Sequence, residues 1–248
     1  MIRTLLVRGI YAGMAAGLLS WLFSYVFGEP GIEGGIAFEE QLAHAGGESQ
    51  GGELVSRGLQ ATVGLGAALI VFGVAIGGLF ALAYAVAYGR IGSLSPRATA
   101  AVLATGAFLV VFLVPFLKYP ANPPATSDDA TIAQRTGLFL GLVLVSVILA
   151  VASAVLGRQL NARLGAWNAV LVAIGMYVVT IGVVLFVLPT VNEMPAGFPA
   201  TVLYQFRLAS VGNQVVLWAT IGLLFGWLTD RSLRRSQAVP RVGNASGD

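Results

Sequence analysis

The sequence predicts an all-α integral membrane protein, a bundle of six transmembrane helices with both termini in the cytoplasm. Three observations carry this prediction. The 248 residues are 57% hydrophobic and only 10% charged, against roughly 25% charged for soluble domains, so a water-soluble fold would have no means of hiding the apolar surface. Six apolar runs, each long enough to cross hydrocarbon, alternate with polar or proline-rich segments. The basic residues collect on every second segment, which orients the runs.

The first span is expected over 4–27, with Arg3 and Arg8 at its start. A signal peptide would also open on basic residues. This apolar run is longer than the usual h-region of about 7–15 residues and no A-x-A site follows, so a retained helix is expected. Gly9, Gly13 and Gly17 recur every fourth residue, a stripe that lets a second helix approach closely. A polar loop is expected over 28–56. The second span covers about 59–88 and ends in Tyr88-Gly-Arg90. Ser95 and Pro96 read as an N-cap followed by proline at the first helical position, opening a third span over 97–117. The stretch from Pro115 to Pro124 then turns the chain at a water boundary, because proline lacks a backbone donor and biases its predecessor toward extended geometry.

Gln134 and Arg135 lead into the fourth span, about 136–156, and a short basic turn over 157–164 leads into the fifth, 165–188. A second proline-rich loop runs from Leu188 to Ala200 and ends near Arg207; the sixth span is expected over 208–228. The membrane domain therefore covers 1–230. Residues 231–248 are basic and then Ser/Gly-rich, a tail expected to be disordered.

The N-terminal region, the 89–97 and 157–164 turns and the tail together carry ten basic residues. The other three segments carry four: Arg57, Lys118, Arg135 and Arg207. This bias places the first set in the cytoplasm. Nine of the eleven acidic residues lie on the opposite, outer side. Tyr25, Tyr119 and Tyr204 mark the outer interface, and Tyr84, Tyr88, Trp167 and Trp227 the inner one. The basic inner surface suits anionic lipid headgroups, so the bilayer is the expected partner and nucleic acid is not. A weak internal repeat aligns residues 120–126 with residues 195–201. With the arginines at each re-entry, it would suit three repeated helical hairpins in one orientation.

The outer segments hold the groups that could carry chemistry. The first offers Glu29, Glu33, Glu39, Glu40, His44, Glu48 and Glu53. Such a set suits divalent-cation capture, with His44, Glu39, Glu40 and Glu193 as the metal candidates, and it equally suits a solvated acidic loop. With no cysteine and no H-x-x-x-H pair, a closed structural zinc site is not expected. The proline-rich loops present Lys118, Pro120, Asn122, Pro123, Pro124 and Asn192. Arg57, Arg135 and Arg207 stand at helix starts, where the macrodipole disfavours a cation. They call for partners: Glu29, Glu53 or Glu193, or a bound anion. Lys118 is expected to pair with Glu193 or Glu29. Asn213 and Gln214, in the outer part of span six, need partners in hydrocarbon and are expected to face the bundle interior or an outward cavity. No P-loop and no G-x-S-x-G elbow appear, so no catalytic residues are assigned and an enzyme is not expected.

Several of these stretches carry a resemblance. Arg8-Gly9, Gly28-Glu-Pro30, Phe38-Glu-Glu40, Glu53 to Gly58, Pro115 to Pro124, Gly165 to Asn168, Leu188 to Glu193, Phe198-Pro199 and Phe206 to Ser210 together resemble the CbtA family of probable cobalt transporter subunits, over roughly residues 1–230. The resemblance implies a multi-pass protein of the bacterial inner membrane linked to cobalt uptake. It also implies a small single-span companion of the CbtB type, with a histidine-rich end. The leading reading is a membrane subunit of a cobalt uptake system, accepting Co²⁺ at an acidic outer face and holding no permanent cofactor. The alternative is a non-transporting scaffold whose outer loops dock a partner.

Overall fold

The computed structural model describes residues 2–46, 56–90, 92–124, 126 and 129–238. Among the described residues there is no strand. The helices are α1 (Ile2–Phe23), α2 (Glu29–Gly46), α3 (Arg57–Ala87), α4 (Pro96–Lys118), α5 (Ile132–Val187) and α6 (Ala200–Ala238). π-Helical turns occupy Ser24–Gly28, between α1 and α2, Gln60–Gly64 in α3 and Phe108–Leu113 in α4. Among the described residues, five helical stretches are long and apolar enough to cross a membrane.

The longest of them is too long for a single crossing. At about 1.5 Å per residue, the 56 residues of α5 would far exceed a hydrocarbon core of about 30 Å. The helix is broken at Gly165, whose φ of 74° and ψ of 162° suit a residue without a Cβ. Its two arms fold back on each other. Ser146 on the first meets Tyr177 on the second at 2.8 Å, and a side chain at Gly157 would press on Ala173.

The chain divides into two compact units. The first comprises Met1–Phe23, Ser56–Gly106 and Val215–Asp248. Here α1 lies along α3 with almost no side chain between them. A Cβ on Gly13 would collide with the Gly73 carbonyl, and one on Gly77 with the Gly9 carbonyl. The small-residue stripe therefore does what its spacing predicts, bringing two backbones into direct van der Waals contact. Ala104 packs over Gly222 of α6, and Phe80 and Tyr84 meet the Phe225 ring edge-on at 5.3 and 4.9 Å. At one end Asp230, only 6% exposed, joins Arg97 at 2.9 Å and Arg234 at 3.1 Å, while Arg8 donates to the Ser232 hydroxyl. Ser95 caps α4 as expected: its Oγ accepts from the Ala98 N–H at 3.2 Å, with Pro96 in the first turn.

The second unit comprises Ser24–Val55 and Ala107–Gln214. Its interior shows what proline costs a helix. Val114 N–H bonds to the Leu109 carbonyl, five residues back, and residue 115 is a buried proline. The Val110 carbonyl is thus left without a donor from its own helix. Ser146 Oγ, fully buried on α5, donates to it at 2.7 Å. Since Ser146 has one proton and spends it there, Tyr177 is the donor in the Ser146–Tyr177 contact.

Four expectations are corrected. The loop expected over 28–56 is helical from Glu29 to Gly46, because Gly31, Gly34, Gly35 and Phe38 form a packing stripe at helical spacing; Glu48 and Glu53 lie outside the described residues. The expected 157–164 turn is helical, and the reversal falls on Gly165. The last helix begins at Ala200 rather than near 208. It continues through Ala238, so the segment from 231 begins as helix; residues 239–248 lie outside the described residues.

The α1–α3 contact makes a direct prediction. Gly13→Ala or Gly77→Ala should cost on the order of 2–3 kcal/mol by overpacking. Gly78→Ala, with nothing within 4 Å of the added carbon, should be neutral or slightly stabilising. Thermal midpoints of the detergent-purified variants check this, and equal midpoints for all three would contradict the packing.

Candidate functional site

The second unit brings both proline-rich loops to one place, and their re-entry arginines are exchanged. Arg135, on the helix that leaves the first loop, pairs with Glu193 of the second loop at 3.3 Å. Arg207, on the helix that leaves the second, reaches the first loop: Nη2 donates to Asn122 Oδ1 at 2.8 Å and Nε to the Ala121 carbonyl at 3.3 Å. A third tie runs from the Tyr119 hydroxyl to the Pro189 carbonyl at 2.8 Å. Partial burial raises that phenol above its ordinary value of 10.0, so it stays a protonated donor.

α2 closes against this assembly through its small residues. Gly35 lies against Pro123 and Pro124, Gly31 against Phe206 and Gly34 against Val202. Phe38 meets Phe198 edge to face at 5.0 Å, an arrangement worth about 0.5–1.5 kcal/mol beyond area burial. Within the first loop, Thr126 Oγ1 donates to the Pro123 carbonyl at 2.6 Å.

The predicted site residues fall into three groups. Asn122, Glu193, Arg135 and Arg207 are engaged with one another across the loops, as above. Pro123 is buried, Pro120 half-buried and Pro124 exposed. Glu39, Glu40, His44 and Asn192 are exposed. Glu40 and His44 stand four residues apart, hence one turn apart on α2, but no group of three metal-ligating side chains gathers among the described residues. Lys118 is half-buried, and the pairing expected with Glu193 or Glu29 is not formed, because Arg135 takes Glu193. Glu29 is buried at the start of α2. Arg57 Nη1 reaches Gln60 Oε1 at 3.5 Å, one turn along α3. Asn213 Oδ1 is enclosed with no hydrogen-bond partner among the described residues, and Gln214 is half-buried; Glu53 lies outside the described residues.

The sequence reading missed the Tyr119 tie, the Phe38–Phe198 contact and the Ser146–Tyr177 pair. Only the last had a visible trace, a serine and a tyrosine inside apolar runs. The buried Asp230 of the first unit was also missed, although it is one of only two acidic residues off the acid-rich segments.

The Arg135–Glu193 pair is partly buried, with side chains 26% and 18% exposed. Arg135→Glu alone should destabilise by about 1–3 kcal/mol, between exposed and buried ion pairs. Adding Glu193→Arg should restore more than half of the loss. Thermal midpoints of the single and double variants decide it, and a double variant no better than the single would refute the pairing.

No curated protein and no solved structure matches the chain. The family model described as "Probable cobalt transporter subunit (CbtA)" matches residues 2–230. That match spans both proline-rich loops, their exchanged arginines and the acidic α2, and the family is one of transporter subunits rather than an enzyme class. The chain belongs to the CbtA family of probable cobalt transporter subunits.

Proposed function

We propose that this chain is the multi-pass membrane subunit of a cobalt uptake system in the bacterial inner membrane, taking Co²⁺ at its outer face. The family match carries the substrate class. The reading has six spans, with the two arms of α5 crossing separately on either side of Gly165 and both termini in the cytoplasm. The cross-tied loops are then the outer mouth. The exposed Glu40 and His44, one helical turn apart, give the first contact for a cation, with Glu39 beside them. Carboxylate and imidazole together suit a borderline divalent metal such as Co²⁺. Asn122 is committed to Arg207, so Asn192 is the loop amide left for solvent or metal. Glu193 serves Arg135 first, as a structural pair.

A single-span, histidine-rich companion of the CbtB type completes this system. The scaffold alternative draws on a different observation, the backbone-to-backbone packing of α1 on α3, which leaves no room for a path between those two helices. Cobalt accumulation in cells separates the two readings: a rise when this chain is expressed, alone or together with its companion, supports transport, and no rise in either case supports the scaffold.

The orientation is tested by reporter fusions in the 47–55 segment and after residue 238. They should report opposite sides, the first outside and the second inside; the same side for both would refute the topology. For the metal path, Glu40→Gln with His44→Ala should lower cobalt accumulation at limiting metal by about fivefold or more, the equivalent of about 1 kcal/mol of lost binding. Protein abundance should be unchanged. Accumulation equal to the parent's would leave α2 as a solvated acidic face.

A further inference from the structure

We propose that Arg207, with Lys118 nearby in the fold, binds the phosphate of a phospholipid headgroup, independently of the metal this chain handles. Arg135 has a carboxylate in Glu193. Arg207 has none among the described residues. Its contacts are two neutral oxygens, the Ala121 carbonyl and Asn122 Oδ1. Lys118 likewise reaches no carboxylate among the described residues. Both side chains are half-buried, unlike the exposed Arg163 or Arg235 that water solvates freely.

A guanidinium withdrawn from water and matched by neutral acceptors keeps a charge that an anion compensates far better. The geometry leaves a docking edge as well. Nε and one N–H of Nη2 are spent on the first loop, while both N–H groups of Nη1 and the second of Nη2 reach no acceptor among the described residues. Asn122 and Ala121 hold the guanidinium plane, so that edge is preorganised for the oxygens of a phosphate.

The surroundings on α6 say where the anion comes from. Tyr204, three residues before Arg207, is 67% exposed, and Leu208, the next residue, is 56% exposed. A tyrosine above a leucine on an outward face is the pattern of a helix passing from headgroup level into acyl chains. Arg207 lies on the helix face adjoining that stripe. Lys118 ends α4 immediately before the Tyr119–Asn122 segment that Arg207 grips, and adds positive field at the other end of that segment.

The test titrates the full-length protein in dodecyl maltoside with dioleoyl phosphatidylglycerol or with inorganic phosphate, reading the thermal midpoint. Phosphatidylglycerol should raise the parent's midpoint saturably. Arg207→Gln and Asn122→Ala should need about fivefold more lipid for half the effect, as expected for losing or misdirecting a charge-assisted hydrogen bond. Lys118→Gln should shift it in the same direction by less. A rise with phosphatidylglycerol alone supports the lipid source, and a matching rise with inorganic phosphate supports the same site with a soluble source. No rise in the parent with either probe overturns the proposal, and so does a parent-like titration in all three variants. If Arg207→Gln does not fold, Arg207→Lys replaces it: it keeps the charge and loses the fork, so its titration should still be weaker, and a parent-like curve in it and in Asn122→Ala overturns the proposal.

Discussion

Proline removes a backbone donor and leaves every carbonyl in place, and much of the second unit is a response to that imbalance. Pro115, Pro120, Pro123, Pro124, Pro189, Pro195 and Pro199 all fall in or beside two loops. Neither loop can tie itself down with a backbone ladder, so side chains supply the missing donors. The Tyr119 hydroxyl serves Pro189, Thr126 serves Pro123, Arg207 serves Ala121, and Ser146 serves the Val110 carbonyl that Pro115 has orphaned. Two of these donors come from the other loop or its helix, so satisfying the acceptors also fastens the loops together. Where water is excluded, the alternative would be an unpaired carbonyl at a cost of several kcal/mol.

The exchange of arginines has a consequence for chemistry. Arg135 neutralises and Arg207 grips a group on the opposite loop, so these polar side chains at the centre of the assembly are already committed. Groups left for a ligand are therefore at its margins. On the acidic side these are Glu39, Glu40 and His44 along the exposed face of α2, with Asn192 in the second loop. On the basic side they are the unspent edge of Arg207 and Lys118. The first set suits a cation and the second an anion, so the proposed metal contact and the proposed lipid contact make no demand on the same residues.

The first unit relies on a different economy. Hydrocarbon gives two apolar helices no hydrophobic reason to associate, so α1 and α3 gain their contact from close backbone approach, which only glycine permits. At one end of that unit the buried Asp230 stands between Arg97 and Arg234 and fastens α6 to the start of α4. An acidic residue in a basic region is thus a packing element there.

Much of this was legible in the residues themselves. Composition and six apolar runs dictated helices in a membrane, because length and hydropathy are local properties that no neighbour can override. The glycine stripe of α1, the Ser95–Pro96 helix start and the two proline-rich loops were equally local, and the structure keeps each of them. The tertiary structure decided what depends on a partner. That α2 is helix rather than loop follows from its glycines finding Pro123, Val202 and Phe206, none of them near in sequence. Which acid each cation would take could not be read either: Lys118, Arg135 and Arg207 were equivalent as charges, and only the crossing of the loops gave Glu193 to Arg135 and left Arg207 with neutral oxygens. Charge and polarity say that a partner is required, but distance chooses it, and distance between residues far apart in the chain is set by the fold.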